Sequence, residues 1–231
     1  SAAPMSVARL REAIEAFGPV VTQAYGQTEA LGISCMRPEE FIIDGHIADD
    51  DRLAAAGRPG LPFCRVAIRD AQGCIVGPGV DGEICVRGDQ AMTGYYRNPE
   101  ATAAVLVDGW VHTGDVGHFD DRGYLHIVDR KKDMIISGGF NVYSAEVEQV
   151  LAAHPAVAEC AVIGVPDADW GEAVKAVVVL RDAAGVDDAA LLTWCRERLG
   201  GVKTPKSIDR VAELPRSDRG KVLKRELRAP Y

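Results

Sequence analysis

The chain has no lysine before Lys131, no CxxC pair among its six cysteines, and no apolar run near the roughly 20 residues that cross a bilayer. Each absence removes a class of function. Cys35, Cys64, Cys74, Cys85, Cys160 and Cys195 are scattered, so neither a disulfide framework nor a zinc site is implied, and they read as reduced thiols. Residues 1–20 lack the charged-then-apolar pattern of a signal peptide, and with no membrane span the expectation is a soluble cytoplasmic protein. A net charge of −8 argues against nucleic acid as a partner. His46, His112, His118, His126 and His154 fit no nucleophile or metal spacing and read as structural.

What is present is a chain of 231 residues, 47% hydrophobic, long enough for one large or two small domains with a real core. Residues 1–129 carry 10 basic against 19 acidic side chains, residues 130–231 carry 16 against 15, and all seven lysines fall in the second part. This asymmetry suits two domains, the second meeting a polyanion.

Val7, Leu10, Ile14 and Phe17 predict an amphipathic helix over 5–17, closed by Gly18-Pro19. Val20–Ala24 reads as a buried strand running into a loop at Tyr25-Gly26. Strands are then expected at Arg65–Arg69, Glu83–Arg87, Trp110–Thr113 and Tyr124–Val128, with glycine-bearing turns between them, as in a small antiparallel barrel or sandwich. Five charged residues, Asp129-Arg130-Lys131-Lys132-Asp133, have no apolar side chain to anchor them and mark the boundary. Beyond it a compact α+β domain is expected, over residues 130–231. It has a strand at 134–136, a Gly138-Gly139 turn, a helix capped by Ser144, strands at Ala161–Val165 and Ala173–Leu180, a helix over 188–199 and a strand over 208–214.

Three segments carry chemical potential. Tyr25-Gly26-Gln27-Thr28-Glu29 offers an aromatic face, a close backbone approach, a hydroxyl and a hard oxygen ligand. Thr113-Gly114-Asp115 places a carboxylate after a strand. Arg216-Ser217-Asp218-Arg219-Gly220-Lys221 puts a lysine behind a glycine, ahead of a short helix. Taken singly, these read equally as a strand-to-loop turn, a turn aspartate and a solvated terminal charge.

In this order and spacing, the three segments resemble the adenylate-forming superfamily of acyl-CoA synthetases, aryl-CoA ligases, luciferases and peptide-synthetase adenylation domains, over nearly the whole chain. The resemblance implies a mixed α/β and α+β architecture. Residues 1–129 would be the distal part of the large AMP-binding domain, with a strand-loop segment and a barrel-like β subdomain; residues 130–231 would be a mobile lid. It implies ATP, Mg²⁺ and CoA as cofactors and a small carboxylic acid as substrate, joined as acyl adenylate and then passed to CoA or to a carrier-protein phosphopantetheine.

Residue by residue, the resemblance implies that Lys221 bridges the substrate carboxylate and the α-phosphate, with Thr28 on phosphate and Glu29 on Mg²⁺. Tyr25, Gly26 and Ala3 would wall the adenine, and Asp115 and Arg130 would hold the ribose. Lys132 would be the hinge, Gly138 and Gly139 would let the pantetheine arm slide past, and Trp170 would stand near the CoA entrance. Two departures are visible: Ser144 stands where the family commonly has proline, and Ile136 where many members carry a second lysine. The family's Ser/Thr/Gly-rich phosphate loop is missing, so the chain is expected to be the C-terminal portion of a larger enzyme, inactive or at most a binding module by itself. Ala30, Gly32 and Ser34 admit either an acyl chain or a ring.

Overall fold

The computed structural model describes residues 5–181, 185–218 and 220–231, which fall into two compact units, Ser1–Val128 and Asp129–Tyr231. In the first unit, α1 (Val7–Phe17) starts where the Ser6 hydroxyl accepts the Arg9 N–H and stops at Gly18, whose φ of 76° is cheap only for glycine. Its buried residues, Leu10 and Ile14, pack with Met36, Phe41 and Leu53. Each such side chain stabilises the unit by roughly 1.5–3 kcal/mol on full burial.

The next strand is not Val20–Ala24. β1 is Gln23–Gln27 and forms an antiparallel hairpin with β2 (Ala30–Met36). Its residues alternate between half-buried and exposed rather than being buried throughout, because among the described residues β1 pairs only with β2. A 3-10 turn at Pro38–Phe41, the small pair β3 (Ile42–Ile43) and β4 (His46–Ile47), and α2 (Asp50–Ala54) follow.

The barrel-like part is a five-stranded sheet. β5 (Arg65–Arg69), β6 (Gly82–Arg87), β8 (Trp110–Phe119) and β7 (Leu106–Val107) pair in that order, with β9 (Leu125–Arg130) also on β8. The short α3 (Pro99–Val105) precedes β7. Ile68, Ile84, Val86, Val111 and Leu125 form its core. β8 runs well past Thr113, since the interruption at Gly114 is a bulge and not an end.

The second unit is a sheet in the order β11 (Phe140–Val142), β10 (Ile135–Ser137), β13 (Gly171–Leu180), β12 (Val157–Asp167), with β14 (Ser207–Arg210) parallel to β13. Both faces of β12 and β13 are covered. Val162, Val174 and Val178 pack with Val147 and Leu151 of α4 (Ser144–Ala152) and Leu191 of α5 (Asp188–Lys203), while Ile163 and Val177 pack with Leu214. Two-sided burial explains why these strands read as continuous apolar runs. β14 ends at Arg210, four residues short of Leu214, and the short α6 (Lys224–Arg228) closes the unit.

Two local expectations change here. Ser144 is the first helical residue of α4 rather than its cap; it is fully buried, and its hydroxyl donates to Asp129 Oδ2 at 2.7 Å. The stretch 129–133 is anchored by charge where apolar side chains are lacking. Asp129 is 8% exposed, and Asp133 accepts from Arg228 at 2.9 Å.

Candidate functional site

In the first unit the site residues sit on a hairpin and a bulge. Gln27 pairs with Ala30, so Thr28 and Glu29 form the two-residue turn joining β1 to β2, and Tyr25 and Gly26 lie within β1. Gly26 is obligatory for packing, because a Cβ there would stand 2.9 Å from the Gly32 nitrogen. On β8, Cys85 pairs with His112 and Glu83 with Val116, leaving three residues opposite Ile84 alone. Gly114, at φ 69°, allows this bulge. Thr113 Oγ1 stitches it, donating to the Ile84 carbonyl at 2.7 Å and accepting from the Asp115 N–H at 3.1 Å. The bulge aims the buried Asp115 carboxylate at β1, where the Tyr25 hydroxyl donates to Oδ2 at 2.7 Å.

Glu29 is held by a residue that sequence reasoning missed. Tyr95 donates its hydroxyl to Glu29 Oε1 at 2.7 Å, and the Met92 N–H donates to the Glu29 carbonyl at 2.8 Å. Donating to this carboxylate pushes the Tyr95 phenol above its ordinary range. The available signal was the run Gly94-Tyr95-Tyr96 just ahead of the Asn98-Pro99 helix start, whose Asn98 side chain caps α3. A shallow depression of about 430 Å³ opens there, lined by Gly94, Tyr95, Arg97 and Asn98 among others. Thr28 and Glu29 offer only hard oxygen donors, which suits Mg²⁺.

Other clusters are less suited. Glu83, Cys85 and His112 lie close together, but Nδ1 of His112 is 3.0 Å from Glu83 Oε2, the length of a direct hydrogen bond. His118 is bonded to Asp81 and stacks on His126 at 5.2 Å, next to Asp120.

In the second unit, Gly138 and Gly139 are the turn of the β10–β11 hairpin, with φ of 58° and 81° as a two-residue turn with both central residues left-handed requires. The Gly138 N–H donates to the Trp170 carbonyl at 2.8 Å. The indole lies over Gly138, is 39% exposed, and faces the Lys206 ammonium 4.6 Å from its centroid. These glycines and Trp170, distant in sequence, therefore form one surface. Arg130 ends β9 and Lys132 lies in the turn after it, both exposed.

Lys221 sits on a closed loop. A bridge joins Arg216 to Val222, the Ser217 N–H donates to the Lys221 carbonyl at 2.8 Å, and the Gly220 N–H donates to the Ser217 carbonyl at 2.8 Å. Arg216 Nη2 ties the loop to Glu159 of β12 at 2.7 Å. The Lys221 side chain is exposed, and its ammonium has no ion-pair partner among the described residues. Ala3, expected on the adenine wall, lies outside the described residues, and none of the described helices is long and apolar enough to cross a membrane.

The AMP-binding enzyme family matches residues 1–96, and the AMP-binding enzyme C-terminal domain matches residues 146–221. A feruloyl-CoA synthase of Amycolatopsis sp is 49% identical over 93% of this chain and 42% of its own length. The medium/long-chain-fatty-acid–CoA ligase FadD8 of Mycobacterium tuberculosis is 44% identical over 100% of this chain and 40% of its own. Among solved structures, the amide bond synthetase McbA of Marinactinospora thermotolerans has a TM-score of 0.87 at 43% identity, covering 99% of this chain and 45% of that one. ATP-bound MatB of Rhodopseudomonas palustris gives 0.88 at 39%, covering 100% and 44%. The chain thus spans less than half the length of the relatives it matches. With both family regions matched in order and the curated relatives being CoA ligases, the chain belongs to the adenylate-forming family of AMP-binding enzymes.

Proposed function

We propose that the chain works in an ATP-dependent acyl- or aryl-CoA synthetase. A carboxylate oxygen attacks the α-phosphorus of ATP and pyrophosphate leaves; the CoA thiol then attacks the acyl carbonyl and AMP leaves. The first step brings two anions together, so its barrier is largely electrostatic. The observation that carries the reading is Lys221, an exposed ammonium whose own carbonyl is held by the Ser217 N–H. Such a group can touch a carboxylate oxygen and an α-phosphate oxygen at once without first leaving an ion pair.

Asp115 and Arg130 are assigned to the ribose hydroxyls, and the face of Tyr25, with Gly26 behind it, to the adenine. Mg²⁺ bound with ATP would be held by Glu29 and Thr28 and would neutralise phosphate charge. Lys132 is assigned as the hinge between the two half-reactions, and Gly138, Gly139 and Trp170 as the surface along which the pantetheine arm passes. The proposed setting is the cytoplasm, where ATP and CoA are available.

A second acceptor has support in the likeness to the amide bond synthetase McbA. On that reading an amine, in place of the CoA thiol, takes the acyl group. The test is acid-dependent ATP–pyrophosphate exchange by the polypeptide that carries this chain, over a panel of aryl and aliphatic acids. Acyl adenylate is then offered with CoA, an amine or a phosphopantetheinylated carrier protein. No exchange with any acid would overturn the reading, and product formation with only one acceptor would choose among the three.

A further inference from the structure

Lys224 and Arg228 stand one turn apart on α6, four residues apart and so on one face. Both reach the stretch 129–133. Arg228 donates directly to Asp133 Oδ1 at 2.9 Å. Lys224 Nζ donates to Ser144 Oγ at 2.6 Å, and Ser144 Oγ donates onward to Asp129 Oδ2 at 2.7 Å. Asp129 Oδ2 also accepts from the Ala145 N–H at 3.3 Å, so the carboxylate caps α4 from fifteen residues upstream. Glu148 completes the set: its Oε1 pairs with Lys224 at 2.7 Å and accepts the Val162 N–H at 2.8 Å. Burial raises the Glu148 carboxyl above its ordinary range against the lowering effect of Lys224.

α6 has five residues, too few to hold a helix or a position unaided. Its place is set by these ties and by the packing of Leu227 on the sheet. Lys221 is three residues before Lys224, and the Leu223 N–H, next to Lys224, donates to the Pro215 carbonyl on the other side of Lys221 at 2.8 Å. Lys132 lies between the two anchored carboxylates. A backbone rotation at Lys132 changes the relation of Asp129 to Asp133, so the two ties cannot both survive it unchanged.

We propose that Asp129, Ser144 and Lys224 form a positioning relay through which residues 129–133 set the place of the Lys221 loop. The proposal rests on the reading of Lys221 and Lys132 given above. Ser144 and Lys224 are positioning residues, acting through the loop and not on the substrate. An isolated Lys224–Glu148 ion pair would hold α6 without sensing Asp129, and the experiment separates these two cases.

Amide hydrogen exchange is measured on the 231-residue chain as wild type, Ser144→Ala, Asp129→Ala and the milder Asp129→Asn, with Arg210→Ala as a surface control. In Ser144→Ala and Asp129→Ala, amides of 216–228 should exchange at least about tenfold faster, the scale of losing a hydrogen bond to a charged group, while β12 and β13 keep their protection. Unchanged exchange in 216–228 overturns the relay. So does an equal rise across β12 and β13, which would mean general loss of stability. If both Ala variants fail to fold, Asp129→Asn decides by the same criterion.

A second arm uses pyrophosphate exchange by the polypeptide that carries the chain. Lys224→Met should lower kcat with KM for acid and ATP unchanged, and Lys224→Arg should restore part of it. If Lys221→Ala leaves pyrophosphate exchange intact, the functional reading fails, while the hydrogen-exchange result still decides the relay.

Discussion

Gly138 and Trp170 touch so closely that a Cβ on the glycine would stand 2.6 Å from Cε3 of the indole. Gly138→Ala therefore meets two costs: the left-handed φ of 58° and the ring. Gly139, at φ 81°, has nothing within 4 Å of its would-be Cβ and meets only the first. The expected loss is about 1 kcal/mol for Gly139→Ala and about 2–3 kcal/mol for Gly138→Ala, read from urea unfolding. Tryptophan emission should shift only in the second. Equal losses would mean that the ring contact does not constrain the turn.

The Gly-Gly turn was legible because two adjacent glycines at the end of a short apolar strand can serve few other purposes, but its partner Trp170 lay 32 residues on and no local pattern joined them. The same limit governed Asp129, Ser144 and Lys224, whose bonds span 15 and 80 residues. The strand over Val20–Ala24 was misplaced because Gln23–Gln27 has little apolar content, and its pairing with β2 is held by backbone bonds that sequence does not display. The chemistry-bearing segments were readable because residue type and spacing are themselves the signal. Tyr95, which holds Glu29, carried no such signal by itself.

Tyr25→Phe removes a donor from a carboxylate that is 4% exposed. Leaving a buried acceptor short of a partner costs about 1–3 kcal/mol, against a few tenths for removing an exposed hydroxyl. The first unit should unfold at lower urea while the second is unaffected, followed by exchange of amides in β8 and β13 separately. An equal effect in both units would mean that the bond does not act locally.

The cysteines should separate by burial. Cys160 is pushed up to about 12 and Cys195 to about 11, in each case by burial first, with the Glu148 charge adding to it for Cys160. Cys74 is exposed. Iodoacetamide at pH 8 should modify Cys74 in the native chain and reach Cys160 and Cys195 only after urea unfolding, as read by peptide mass spectrometry. Native labelling of Cys160 at the rate of Cys74 would contradict this packing.

Burial holds the His126 imidazole below its ordinary 6.5, with His118 and Arg122 lowering it further and Asp51 and Asp120 opposing them. Between the folded and unfolded values the unfolded chain binds the extra proton, so stability falls as pH drops through and below about 6.5. The urea midpoint of the first unit should decline between pH 7 and pH 5.5. His126→Gln should flatten that slope, and an unchanged slope in the variant would assign the decline to another group.

The sharpest test of the proposed chemistry is Lys221→Ala, assayed in the polypeptide that carries this chain. If the ammonium neutralises charge as carboxylate and α-phosphate come together, its loss should slow adenylate formation by roughly 10²-fold or more, the scale of one well-placed electrostatic stabiliser. Thioester formation from supplied acyl adenylate involves no such meeting of anions and should largely survive. The fold gives no reason for a wider loss, since the side chain is exposed and the loop is held by its backbone and by Arg216. Pyrophosphate exchange reports the first step and acyl-CoA release from supplied adenylate reports the second. A parallel fall in both would show that Lys221 serves the structure of the loop, and the adenylating role would then have to pass to another cation of the second unit.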